Sequence, residues 1–142
     1  MIDANYIVGL TDGEGCFYVN LTERDKAKNP KAHVRAKSHF YIKLRADDLI
    51  VLEKVRERLG FGFIYFQKEK RKNHSACYRF EVNSNIEKLK LIEFFNKYPL
   101  HSPKKKRDFK IFSKVTKMII NKEHFSSKGV SIIRQLKLSM HH

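Results

Sequence analysis

The sequence predicts an α+β fold: four antiparallel strands covered on one face by helices, ordered αββαββα with two further helices at the C-terminus. Two periodicities carry the prediction. Apolar residues return every three or four positions in five segments, as on helices with one buried side, and every second position in four others, as on strands buried on one face. The third observation is punctuation: Pro30 lies in a loop between two of these segments, Gly60 and Gly62 stop another, and Pro103 stands near the start of a later one. With 42% hydrophobic residues, 11 Phe and 6 Tyr, the 142-residue chain can build a real core, so residues 1–142 are expected to form one domain.

The chain opens on a helix, with Ile2, Tyr6, Ile7 and Leu10 at helical spacing and Asp3 or Asn5 available as cap. The first strand alternates Phe17, Val19 and Leu21 with Tyr18, Asn20, Thr22 and Arg24. Residues 24–37 read as a basic loop containing Pro30. In the second strand Phe40, Ile42 and Leu44 face one way, and Lys37, His39, Tyr41, Lys43 and Arg45 face the other. Asp47 or Asp48 then caps a helix carrying Leu49, Leu52, Val55 and Leu59, which Gly60 and Gly62 stop. Residues 63–68 and 76–83 read as a hairpin with its tip at 68–75, in which Tyr78, Phe80 and Val82 oppose Cys77, Arg79 and Glu81. Helices follow at about 85–97, 104–122 and 126–139.

Charge narrows the function. Thirty Lys and Arg against 15 Asp and Glu give +15, an excess that points to a polyanion. The charge is spread along the chain and no long apolar span exists, so nucleic acid is favoured over a membrane. The sheet is expected to account for the charge. Its polar face would present Tyr18, Asn20, Thr22, Arg24, Lys37, His39, Tyr41, Lys43, Arg45, Tyr65, Gln67, Arg79 and Glu81 to a major groove. Arg79 and Lys43 suit guanine, and Asn20 or Gln67 suits adenine. Cys16 and Cys77 form neither a CxxC pair nor a disulfide framework, which favours a reducing compartment and no zinc. No signal peptide is evident, and His141 and His142 are set aside as a candidate tag remnant.

The run Tyr6-Ile-Val-Gly-Leu-Thr-Asp-Gly-Glu-Gly15 breaks the helical economy around it. Gly9, Gly13 and Gly15 each forfeit about 1 kcal/mol of helix propensity relative to Ala. Gly9 and Gly13, four apart, share a side on which a second backbone can approach closely. Asp12 and Glu14 stand at the negative end of the helix dipole, where a carboxylate is unfavourable unless something positive joins it. A divalent metal ion is the natural candidate.

Gly9-Leu10-Thr11-Asp12-Gly13-Glu14-Gly15, followed by Cys16-Phe17, resembles the signature of the LAGLIDADG homing endonucleases, often ending Gly-x-x-Asp-Gly-Glu-Gly. The resemblance implies that Glu14 is the catalytic acid and metal ligand, with the Gly13 carbonyl as helper, and that Asp12 is more structural. It further implies that two copies pair at Gly9, Asp12 and Gly13, bringing both Glu14 residues to one centre, since single-motif members act as homodimers on near-palindromic sites. The stretch Tyr98-Pro-Leu-His-Ser-Pro-Lys-Lys-Lys-Arg-Asp-Phe109 is similar to a family segment whose lysine approaches the active site. Counting back from Asp108 gives Lys105, and counting forward from Pro99-Leu100 gives Lys104. Where the family often has a polar residue at the end of the second strand, Ala46 stands here, with Arg45 as a stand-in. The terminal stretch 127–140, with Ile133 and Leu136 as core contacts, resembles the family's last helix.

These readings lead to one expectation: an intron-encoded, homodimeric, site-specific DNA endonuclease using Mg²⁺ or Mn²⁺ to make a staggered double-strand break. It would work inside the cell, in the organelle, nucleoid or nucleus of an intron-bearing genome. The alternatives on the same scaffold are an RNA-binding intron maturase that takes intron RNA as partner, and a DNA-binding protein that no longer cleaves.

Overall fold

A computed structural model describes residues 1–22, 34–72 and 75–141. Arg24, expected on the polar sheet face, lies outside the described residues, as do most of the basic loop and part of the hairpin tip.

The elements follow in the expected order. Helix α1 (Ala4–Glu14) starts at Asp3, whose carboxylate accepts from the Asn5 amide at 2.7 Å. It runs directly into β1 (Gly15–Thr22), followed by β2 (Arg35–Arg45). Strand β2 starts two residues earlier than its alternating pattern suggests, because Arg35 pairs with Thr22 and Ala36 with Leu21. A short 3₁₀ turn, Ala46–Asp48, leads into α2 (Leu49–Leu59). Asp48 occupies the cap position, but its side chain makes no capping bond, and Asp47 pairs with Arg45 instead. The expected aspartate cap is therefore replaced by one tighter turn of backbone. Gly60 closes α2 at φ 81°, and Gly62 follows at φ 99°, where a Cβ would collide with the Phe80 ring. Strands β3 (Phe63–Gln67) and β4 (Cys77–Val82) then form the hairpin, and α3 (Asn85–Lys97), α4 (Pro103–Ile120) and α5 (Ser127–Leu138) complete the chain. Ser84, Ser102 and Ser126 cap these three helices, each accepting from the amide three residues on.

The strands form one antiparallel sheet in the order β1-β2-β4-β3. Its core face carries Phe17, Val19, Phe40, Ile42, Phe80 and Val82, all buried. The helices press a second set of rings on this face: Phe17 lies 4.9 Å from Phe40, 5.2 Å from Phe112 and 5.6 Å from Phe109. Such pairs contribute roughly 0.5–1.5 kcal/mol each beyond burial. Ile133 is fully buried among them, and Leu136 is half-buried at the edge. A polar contact also crosses this layer, between Ser38 Oγ and Thr116 Oγ1 at 2.7 Å, fastening β2 to α4. Asp108, 2% exposed, accepts from the His141 amide at 3.1 Å and pairs with its ring nitrogen at 3.3 Å. His141, set aside as a tag remnant, is thus part of the fold. No helix among the described residues is long and apolar enough to cross a membrane.

Candidate metal centre and nucleic-acid interface

Helix α1 ends where β1 begins, with no loop between them, so the acidic pair is delivered to the edge of the sheet by two rigid elements. The two acids there divide sharply. Asp12 turns back into the protein: its carboxylate accepts from the His101 amide at 3.0 and 3.2 Å and from the Ser102 amide at 3.1 Å. Glu14 is exposed and makes no hydrogen bond or ion pair with any described residue. Gly13 lies beside it in the last helical turn, where backbone carbonyls lack intrahelical donors.

The Asp12 contact places the second cluster. By holding residues 101 and 102, Asp12 fixes the start of α4, where the Ser102 hydroxyl accepts from the Lys105 amide. Lys105 in turn reaches back, and its ammonium donates to the Gly15 carbonyl, one residue beyond Glu14. Lys105 is half-buried, whereas Lys104 and Lys106 are exposed. Between the two lysines that the sequence left open, it is Lys105 that lies against the acidic motif.

Can these groups hold a metal? Among the described residues no three His, Cys, Asp or Glu side chains converge, which suits neither a structural zinc site nor a calcium cage. One free carboxylate beside a last-turn helix carbonyl does fit Mg²⁺, which is usually held by one or two carboxylates, with waters and substrate phosphates filling the rest. Glu14 and the Gly13 carbonyl meet that description.

The open face of the sheet is read from the strand pairs. Cys16 lies opposite Tyr41, Tyr18 opposite His39 and Asn20 opposite Lys37. Tyr41 faces Glu81, Lys43 faces Arg79 and Arg45 faces Cys77. Phe63, Tyr65 and Gln67 lie opposite Glu81, Arg79 and Cys77. Directly paired residues share a face, so every described member of the expected set lies on this side, with Thr22 at its margin opposite Arg35. The sequence reading missed Arg35, Cys16 and Phe63. The first was assigned to the loop, and the other two look like core residues.

The face is organised before any partner arrives. The Arg79 guanidinium sits 3.8 Å over the Tyr41 ring and pairs with Glu81 at 3.2 Å. Glu81 is therefore a brace for Arg79 rather than an isolated negative charge. Tyr18 and His39 stack at 4.4 Å, with Tyr41 edge-on to Tyr18 at 5.9 Å. Burial, then Lys88, Lys37 and Arg79, push the His39 imidazole down to about 4, so it is neutral at neutral pH. Lys88, only 6% exposed, has its own ammonium pKa lowered by burial and by Lys37. Nothing in the polar pattern of its helix sets Lys88 apart from neighbours that stay in water.

The family model described as LAGLIDADG endonuclease matches residues 7–116, taking in most of α1, the whole sheet and most of α4. The chain belongs to the LAGLIDADG endonuclease family. Probable intron-encoded endonuclease 3 of Neurospora crassa is 34% identical over 137 residues, which is 93% of this chain and 23% of that protein. Probable intron-encoded endonuclease Cox1-I1b of Schizosaccharomyces pombe is 30% identical over 109 residues, 77% of this chain and 26% of that one. The chain thus spans about a quarter of the length of the curated relatives it matches. Among solved structures, the homing endonuclease I-TnaI superposes with a TM-score of 0.80 at 30% identity, covering 99% of this chain and 89% of that one. The LAGLIDADG meganuclease I-AabMI bound to uncleaved DNA gives 0.80 at 30% identity, and I-SmaMI bound to an uncleaved DNA target with calcium ions gives 0.81 at 27%. In both, this chain covers 99% of itself and 45% of the other. The LAGLIDADG signature is accordingly the α1–β1 junction, with its two acids facing opposite ways.

Proposed function

We propose that this LAGLIDADG chain is a metal-dependent, site-specific endonuclease for double-stranded DNA that works as a pair of identical copies. The observation that carries the reading is Glu14: an unpartnered carboxylate at a rigid helix–strand junction, beside Lys105 and at the rim of a polar, basic sheet face. A bound Mg²⁺ or Mn²⁺, held by Glu14 and the Gly13 carbonyl, would supply an activated water and neutralise charge on the phosphate.

The protein's own groups do the rest. The sheet face lays the duplex across Tyr18, Asn20, Lys37, Lys43 and Arg79 and fixes its register. Lys105, positioned by Asp12 and Ser102, offers a cation where negative charge grows on the attacked phosphate. One Glu14 per copy serves one strand, so cutting two strands calls for two copies. Gly9 and Gly13 are exposed and have open space where a Cβ would point, with exposed Tyr6 on the same helix. Close packing of two α1 helices there would set the two Glu14 carboxylates about a two-fold axis and make the target near-palindromic.

The test is cleavage of a plasmid carrying the uninterrupted insertion site, with Mg²⁺, by wild type and Glu14→Gln. Wild type should linearise the plasmid and the variant should bind the same duplex without cutting. Equal cutting by both, or a wild type that binds intron RNA and cuts no duplex, rejects the reading.

A further inference from the structure

The sheet was expected to account for the charge, but most of the net charge lies elsewhere. Residues 103–140 hold eleven of the 30 lysines and arginines and only two of the 15 acids. One of those acids, Asp108, is buried against His141. On α4, Lys106, Lys110, Lys114 and Lys117 are all exposed, and none of them pairs with a described residue. Their spacing of three or four places them in a single row along the helix. The opposite side of α4 carries Phe109, Phe112, Val115 and Thr116, which pack onto the core face of β1 and β2. The row therefore points away from the sheet, and a duplex lying on the sheet's open face does not reach it.

The chemistry of the row limits what it can hold. It runs about 17 Å at 1.5 Å per residue, the length of about five base-pair steps at 3.4 Å. At these four positions there is no aromatic ring to stack on an unpaired base and no amide to read adenine, and four lysines alone set no mixed pattern of donors and acceptors against base edges. Lysine ammoniums act as point charges, which suit phosphates in any sequence. A chain at +15 repels a second copy of itself at such a surface. If the sheet takes DNA, duplex DNA is also the polyanion present nearby at the highest effective concentration.

We propose that the outer row of α4 binds a second segment of duplex DNA through its phosphates, without regard to sequence, while the sheet face holds the first. The protein then bridges two segments, and it can pass from one to the other without entering free solution. This rests on the sheet reading, which the first stage of the test examines separately.

A short biotinylated duplex on beads is loaded with the full chain, and a fluorescent duplex of unrelated sequence is then added. Wild type should retain both duplexes. K110E/K114E/K117E should hold the bead duplex like wild type but capture the second about tenfold less or worse, and K110R/K114R/K117R should capture it normally. Undiminished capture by the charge-reversed variant overturns the proposal. So does a wild type that holds one duplex only, or one that captures duplex RNA but not DNA as its second segment. A wild type that holds no duplex at all overturns the sheet reading along with it.

Discussion

Glu14 and Asp12 are two residues apart, yet one carboxylate is free and the other accepts from two backbone amides. This split makes single substitutions informative. Lys105→Met removes the ammonium against Gly15 and should lower cleavage about 10²–10³-fold, the usual loss for one positioned electrostatic group; duplex affinity should change little. Lys104→Met should cleave at close to the wild-type rate. Single-turnover rates on a bound duplex decide between them, and the reverse order would move the active lysine to 104. His39 gives a second residue-level test. Unfolded, its imidazole takes a proton near pH 6.5; folded, not until about 4. Between those values the unfolded chain binds more protons, so stability rises with pH there and is complete above 6.5. Urea midpoints measured from pH 7 to 4 should fall, and His39→Gln should flatten that decline. Single residues were legible where one local feature names the role. Glu14 stands out at the wrong end of a helix dipole, but Lys105 could not be separated from Lys104, because the deciding partner, Gly15, is 90 positions away.

Helices and strands obey nearer neighbours, which is why nearly all of them could be read from periodicity. The five amphipathic segments are α1 to α5, and the four alternating ones pair as expected. The exceptions have local causes. The turn at Ala46–Asp48 offered two equivalent aspartates, and neither side chain caps α2. The start of β2 was hidden because Arg35 and Ala36 read as part of the loop until pairing with β1 extends the strand. The contact between α1 and α4 through Asp12 carries no periodic signal at all. Asp12→Ala would leave the His101 and Ser102 amides without an acceptor, at about 1–3 kcal/mol for each group that water cannot reach. It should also lower cleavage, because Lys105 loses its anchor. Ser102→Ala should cost about 1 kcal/mol through the lost cap. Chemical denaturation, set beside cleavage of the same samples, reads both effects. The exposed glycine side of α1 yields another outcome: Gly13→Leu should sediment as a monomer at concentrations where wild type is a dimer, and an intact dimer would refute pairing through that helix.

Over the whole molecule, two groups of bases stand out among those spread over the surface, one on the open sheet face and one on the outer side of α4. Total charge was legible in composition, but its partition was not, since the strands' alternation drew attention to the sheet while the densest run of lysines lies in a helix. Affinity for a duplex should fall steeply with salt, at a log–log slope of about 0.9 per neutralised phosphate. Fluorescence anisotropy across a salt series measures it, and a shallow slope would remove the polyanion argument. Asp108 and His141 matter for anyone who wishes to alter this molecule. The Asp108 carboxylate is buried on α4, and the backbone amide and ring nitrogen that partner it both come from His141. A deletion ending at Ser139 would leave that buried carboxylate without either partner and loosen the layer that supports the sheet. Affinity handles, fluorescent labels or a spacer fusing two copies into one polypeptide therefore need to begin downstream of His141.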